Sequence, residues 1–263
     1  MAKVDTLKEI VRKKKERLAL AKQSLAEEEL KEKAKAVQPC RPFIEAINKP
    51  RNICLIAEIK KASPSAGVIR ENFSHQEIAC IYQDAGAQAI SILTEEDYFS
   101  GSLSYLAEVK SLVSLPVLRK DFILEPYQVY ESRLYGADAV LLIAELLTKD
   151  TLVQLMQTAE GLGMDCLVEV HDEKQLKKIL NLKEVRLIGI NNRSLHTLEL
   201  DFKITEKLFP LIPKDKVVVV ESGVKTSQDI LFLRILGVNA VLIGTAFMQS
   251  PDITRKIEEL MGW

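Results

Sequence analysis

Seven polar or charged residues of this chain that could do chemistry, acids and bases among them, lie at or just past the ends of short apolar runs. Glu58 and Lys60 flank the end of Cys54–Ile59, and Lys120 follows Pro116–Arg119. Glu169 lies near the end of Cys166–Val170, Asn191 and Arg193 follow Leu187–Ile190, and Glu221 follows Val217–Val220. Taken singly, a lysine or glutamate in such a place is a solvated loop residue or half of a structural ion pair. Gathered around one mouth, charges of both signs would shift one another's proton affinities as water is excluded. A general acid and a general base could then stand side by side. Two further run ends, Ser222-Gly223 and Gly244-Thr245, offer hydroxyls, small residues and backbone N–H groups. Such groups bind a phosphate dianion without placing a counter-charge beside the reacting carbons, and Lys60 and Ser63 would lie nearby.

These residues need a scaffold that brings successive run ends together. The runs read as parallel strands buried on both faces; the other three are Ala89–Leu93, Ala139–Ile143 and Ala240–Ile243. Helical patterns separate them. Ser74-x-x-Glu77 reads as a capping box, and Thr226-x-x-Asp229 plays a similar part. A repeated joint, Ala85-Gly86-Ala87, Tyr135-Gly136-Ala137 and Leu236-Gly237-Val238, reads as a helix stopped by a left-handed glycine before a tight turn into a strand. An open doubly wound sheet uses similar units, but eight strand–helix repeats favour closure into a (β/α)8 TIM barrel. In such barrels functional groups sit where strands end, and a phosphate site after the seventh and eighth strands is common.

Residues 1–48 do not fit the repeat and read as an N-terminal helical extension of a single barrel domain, 1–263. Thr6-x-x-Glu9 would cap its helix, with Leu7, Ile10, Val11, Leu18 and Leu20 as apolar positions. The Lys13-Lys14-Lys15 run could suggest a nucleic-acid patch, but interleaved glutamates argue for a solvated helical face. A net charge of −1 draws the chain to neither nucleic acid nor an acidic membrane. No run approaches the roughly 20 apolar residues of a membrane span, and no signal peptide is evident. Cys40, Cys54, Cys80 and Cys166 are scattered and read as free buried thiols of a cytoplasmic protein. The three histidines are equally dispersed, so no metal site is expected.

The motifs themselves resemble those of the indole-3-glycerol-phosphate synthase family. The resemblance rests on Ile56-Ala57-Glu58-Ile59-Lys60-Lys61-Ala62-Ser63-Pro64-Ser65, on Ser91-Ile92-Leu93-Thr94-Glu95 with Tyr98-Phe99-x-Gly101, and on Leu118-Arg119-Lys120-Asp121-Phe122-Ile123. It continues in Leu167-Val168-Glu169-Val170-His171, Gly189-Ile190-Asn191-Asn192-Arg193 and Val220-Glu221-Ser222-Gly223, in order from about Phe43 to the end. Thr245 departs from the Glu or Ser often found there, and Ser194 from the usual Asp.

The resemblance implies a lyase of tryptophan biosynthesis that closes the pyrrole ring of 1-(o-carboxyphenylamino)-1-deoxyribulose 5-phosphate, losing carbon dioxide and water, with no organic cofactor or metal. Lys120 is the expected general acid for ring closure, tuned by neighbouring cations toward a neutral pKa. Lys60 would hold the departing carboxylate or assist later proton transfers. Glu58 and Glu169 are the candidate bases, and Asn191, Arg193 and Glu221 would orient substrate and stabilise changing charge. Phe99 and Phe122 would contact the aromatic ring, and the extension would cover the mouth. The chain leaves no room for a second barrel, so no fused phosphoribosylanthranilate isomerase is expected. That isomerase, as an alternative activity, would leave the Lys60–Lys120 pair unexplained. A non-catalytic binding barrel would leave the acids and bases so. The expected protein is a monomer, open to association with other enzymes of the tryptophan pathway.

Overall fold

Apolar runs buried on both faces must be paired along both edges, and closing the sheet on itself meets that demand. In the computed structural model, which describes residues 6–50 and 52–263, eight parallel strands form a closed barrel. They are β1 (Cys54–Ile59), β2 (Ala89–Leu93), β3 (Val117–Lys120), β4 (Ala139–Ile143), β5 (Asp165–Val170), β6 (Leu187–Asn191), β7 (Val217–Glu221) and β8 (Ala240–Ile243). β8 pairs with β1 through Cys54 opposite Ala240 and Ala57 opposite Ile243, which shuts the ring. Strand ends differ from the sequence reading in a consequential way. Pro116 has no N–H for the ladder and falls outside β3. Lys120, Asn191 and Glu221, expected in loops, are the last residues of strands.

Alternation divides the strand side chains into two apolar groups. Leu55, Ala57, Ile90, Val140, Val168, Ile188 and Val220 belong to the larger core shared with the surrounding helices. Ile56, Leu118, Leu141, Leu167, Val219 and Leu242 belong to the core inside the barrel. Two residues further along β1, β3, β5 and β7, the same inward face carries Glu58, Lys120, Glu169 and Glu221 in place of apolar groups.

The repeated joint is present, with φ of 84° at Gly86, 89° at Gly136 and 103° at Gly237. A fourth, Gly163 at 76°, precedes β5 and was not read from the sequence. Ser74 caps the helix His75–Asp84 through the Glu77 amide. Thr226 and Asp229 form a reciprocal capping box on Ser227–Leu236.

The extension has three helices, α1 (Thr6–Ser24), α2 (Glu27–Lys35) and α3 (Phe43–Ile47). Thr6 is itself helical rather than the cap, and residues 1–5 of the expected extension lie outside the described residues. Leu20 is exposed, whereas Leu7, Ile10 and Leu18 are buried. Leu7 and Ile10 pack in the same cluster as Phe122, with Phe99 against it. Leu18 and Leu30 join Tyr127 on the helix Pro126–Leu134. Phe43 and Ile47 share a cluster with Cys54, Ala89 and Ala240, the first residues of their strands, at the end opposite the strand-end carboxylates. Arg41 fastens the entry to α3, donating to the Leu115 carbonyl at 2.8 Å while its own amide donates to Asp138 at 2.7 Å. The extension therefore runs from one end of the barrel to the other, and only α1 lies toward the site. No described helix is long and apolar enough to cross a membrane.

Candidate active site

Because inward residues recur every second position, the C-terminal ends of the strands deliver their polar side chains into one cavity of about 320 Å³. Its lining contains Glu58, Lys60, Lys120, Glu169, Asn191, Arg193 and Glu221. It also contains Ser63, Phe99, Phe122, Ser222, Gly223, Gly244 and Thr245. All the residues singled out in the sequence are thus brought together. Glu58, Glu169, Asn191 and Glu221 are buried, with Glu169 and Glu221 each 1% exposed.

Two lysine–carboxylate sets face the cavity. Lys60 Nζ donates to Glu58 Oε2 at 2.6 Å. Lys120 Nζ lies 3.3 Å from Glu169 Oε2 and 3.3 Å from Glu221 Oε2. This overturns the expected environment of Lys120. Burial works against its charge, but Glu169, Glu221 and Glu58 outweigh that and raise its pKa above the usual lysine range. It is surrounded by acids rather than cations and stays protonated at neutral pH. The two carboxyls beside it diverge. At Glu169 burial also opposes ionisation, yet Lys120 and His171 prevail and hold its pKa below the ordinary value. At Glu221 burial dominates, and with the nearby Glu169 charge it pushes the pKa up to about 8 against the relief from Lys120. One carboxylate is ready to accept a proton, and its neighbour retains one. Carboxyls driven apart in this way are suited to opposite acid–base roles.

The space for these carboxyls is carved by glycines whose part the sequence reading missed or read differently. A Cβ on Gly189 would lie 2.3 Å from Glu221 Oε1, and one on Gly244 would lie 2.2 Å from Glu58 Oε2. Gly244, expected only at a phosphate, also makes room for Glu58. At that rim Ser222 and Gly223 both adopt left-handed backbone, with φ of 63° and 90°. Asn192 holds the turn, donating to the Ser222 carbonyl at 3.1 Å and accepting from Thr205 Oγ1 at 2.8 Å. A short helix, Thr245–Met248, begins beside it with Gly244 as its N-cap.

Sequence reasoning also missed the loop after β6. Leu195, Leu198 and Leu200 line the cavity, and Arg193 Nη1 donates to the Leu198 carbonyl at 2.8 Å. The apolar spacing of a loop carries no period by which it could be recognised. Phe99 and Phe122 face each other with ring centroids 6.3 Å apart and planes at 41°. No described residue of α1 to α3 lines the cavity.

The raised Glu221 has a thermodynamic consequence. A carboxyl whose pKa is higher folded than unfolded favours the native state at low pH, and that contribution is lost as pH rises between the two values. Here the window runs from the ordinary 4.5 to about 8. Glu221→Gln should therefore be more stable than the parent by on the order of 1–3 kcal/mol at pH 8, with the advantage shrinking toward pH 5. Thermal melts of both proteins across that range check this, and a constant difference would contradict it.

A family model described as Indole-3-glycerol phosphate synthase matches residues 7–260. The indole-3-glycerol phosphate synthase of Acetivibrio thermocellus is 48% identical over 255 residues, covering 96% of this chain and 98% of that protein. The indole-3-glycerol phosphate synthase of Dehalococcoides mccartyi is 52% identical over 216 residues, covering 81% and 83%. Among solved structures, the 3-hexulose-6-phosphate synthase of Salmonella typhimurium superposes with a TM-score of 0.62 at 13% identity, covering 80% of this chain and 97% of that one. That likeness extends to the fold alone. The near-complete family match and the two long alignments agree with the ordered strand-end motifs, and the chain belongs to the indole-3-glycerol phosphate synthase family.

Proposed function

We infer that this cavity converts 1-(o-carboxyphenylamino)-1-deoxyribulose 5-phosphate to indole-3-glycerol phosphate, a decarboxylating lyase step of tryptophan biosynthesis. The observation that carries the assignment of roles is the placement of Lys120 3.3 Å from both Glu169 and Glu221, two buried carboxyls whose pKa values are driven in opposite directions. As the ring carbon bearing the carboxylate attacks the ribulose carbonyl carbon, Lys120 gives a proton to the carbonyl oxygen, which becomes a hydroxyl. Carbon dioxide then leaves the ring carbon and aromaticity returns. Lys60 lines the same cavity and holds the carboxylate until it departs. In the last step the hydroxyl leaves as water with a donated proton, and the adjacent carbon loses one to a base. Glu169 is the favoured base because it is ionised, with Glu58 held by Lys60 as the second candidate. Glu221 carries the proton that Lys60 could otherwise supply. Asn191 and Arg193 orient the substrate, and the half-buried Phe99 and the buried Phe122 receive its aromatic ring.

Ser222, Gly223, Gly244 and Thr245, with Lys60 and Ser63, receive the phosphate. The consecutive left-handed residues Ser222 and Gly223 and the start of the helix Thr245–Met248 lie together at this rim, which supports this reading. The extension serves the mouth through α1, and residues 1–263 act as one domain. The protein is read as a monomer, with any contact to other pathway enzymes made outside the site. Four free cysteines support the cytoplasm as its compartment.

Purified protein given the carboxyphenylamino substrate, without added metal or cofactor, should develop indole fluorescence. Inorganic phosphate should inhibit it competitively. A folded protein that forms no indole product would overturn the functional reading, and non-competitive phosphate inhibition would overturn the placement of the phosphate.

A further inference from the structure

Lys14 lies on α1, inside the lysine run read as solvated, yet it is 4% exposed. Its Nζ lies 2.9 Å from Asp121 Oδ1 and 3.1 Å from Glu96 Oε2. Burying an ammonium group is costly unless it is paired, and here the pairing joins two separate loops of the active-site rim. Burial works against the charge, but Asp121 and Glu96 outweigh it and raise the Lys14 pKa.

Each partner leads directly to the cavity. Asp121 follows Lys120 and precedes Phe122. Its Oδ1 also accepts from the Phe122 amide at 2.7 Å. Its Oδ2 accepts from Thr94 Oγ1 at 2.6 Å and from Arg119 Nη2 at 3.0 Å. Asp121 thus sets the backbone from which Lys120 and Phe122 project. Glu96 belongs to the loop after β2 that carries Phe99. There Glu95 accepts from the Tyr98 amide at 2.7 Å and the Phe99 amide at 3.1 Å. One helical turn further along α1, Arg17 donates to Asp97 of the same loop at 2.6 Å. Arg119 Nε reaches Thr94 at the start of this loop at 3.1 Å, and Lys14 is the cation that joins Glu96, nearer Phe99, to Asp121 at the end of β3.

We propose that Lys14 is a positioning residue for ring closure, bridging the loops after β2 and β3 so that Phe99 and Phe122 keep the spacing that grips the aryl ring and Lys120 is held in register with it. The inference rests on the functional reading above, which places the aryl ring against those two phenylalanines. It assigns to the N-terminal extension a part in catalysis that requires no contact with substrate. The phosphate end of the cavity, built from β7 and β8, lies outside the bridge.

The test is steady-state kinetics of Lys14→Met on the full chain, at a temperature well below its melting point. Methionine keeps the length of the side chain and removes the charge. Loss of positioning should lower kcat/KM by about tenfold or more, chiefly through KM, with the inhibition constant of inorganic phosphate unchanged. A role confined to stability would lower the melting temperature and leave KM at the parent value. A loss smaller than about fivefold in folded protein, or an equal weakening of phosphate inhibition, overturns the proposal. Should Lys14→Met fail to fold, Glu96→Gln decides, since it removes the loop partner and leaves Asp121 paired with Arg119. It should raise KM by about twofold or more, and an unchanged KM overturns the proposal. The parent measured alongside separates the two readings: a parent without product sinks the assigned function, whereas an active parent with parent-like variants sinks only the role of Lys14.

Discussion

Lys120→Ala should lower kcat by roughly 10²–10⁴-fold, the usual worth of a placed proton donor. Lys120 ends β3, a rigid element, and its ammonium lies 3.3 Å from Glu169 and 3.3 Å from Glu221. With the phosphate rim and the aromatic wall untouched, substrate should still bind, so the loss should fall on kcat. The acids around Lys120 hold its pKa high, and it remains charged throughout the neutral range. Its own titration should therefore not limit activity near neutrality. The sequence suggests that stability would change little, because a mouth lysine is not core packing. The structure argues otherwise. Removing the cation leaves Glu169 and Glu221, both 1% exposed, without their shared counter-charge. Lys120→Ala should melt lower than the parent, most clearly above pH 8, where Glu221 ionises in the parent beside Lys120 and the variant lacks the cation that favours that charge. Lys120→Arg restores the charge but cannot readily give up a proton. It should recover melting temperature and little activity. A near-parental kcat in Lys120→Arg would remove Lys120 from the acid role and leave it as a counter-ion.

Glu169→Gln should cost a similar factor, roughly 10²–10⁴-fold in kcat, if Glu169 is the base of the dehydration. Its Oε2 faces Lys120 and its Oε1 lies 3.3 Å from His171 Nε2, on a side chain 1% exposed. Burial opposes its ionisation, but Lys120 and His171 beside it depress its pKa below the ordinary value, so it is a carboxylate at neutral pH. Glutamine preserves shape and hydrogen bonding and cannot take a proton. KM should therefore move little while kcat collapses. The direction of the shift also places the acid limb of the parent's pH–rate profile below the ordinary glutamate value of 4.5, and Glu169→Gln should lose that limb. If Glu169 only neutralises Lys120, the glutamine variant should keep kcat within about fivefold of the parent. Rates measured from pH 4 to 9 for both proteins decide between the two.

Legibility in the sequence followed the range of the interaction. Each strand announced itself by a run of apolar residues, because parallel strands are buried on both faces and the signal is local. The glycine joints were equally local, since a left-handed residue after a helix narrows the choice of side chain. Boundaries were missed by one residue at the ends of β3, β6 and β7 and at the start of β5, where a polar residue belongs to the ladder, and at the start of β3, where Pro116 does not. A polar side chain looks like a loop in sequence, although its backbone hydrogen-bonds as any other does.

The sequence by itself determined which residues gather at the barrel's mouth, because Glu58, Lys120, Glu169, Asn191 and Glu221 each lie at or just past the end of an apolar run and a barrel brings those ends together. Its ordered motifs were enough to identify the family. Only the tertiary structure decided who meets whom. Lys120 and Glu169 are 49 residues apart in the chain, and their contact depends on how the sheet closes, which no local pattern encodes. That closure replaced the cations expected around Lys120 with carboxylates, and with them reversed the expected direction of its pKa shift. It also turned Gly189 and Gly244 into the space that Glu221 and Glu58 occupy. Lys14 shows the same limit: from its neighbours it reads as one charge on a solvated helix, and only the docking of α1 against β3 buries it between Asp121 and Glu96. Backbone periodicity is a property of consecutive residues, whereas desolvation and Coulombic pairing depend on whatever the fold brings within a few ångströms.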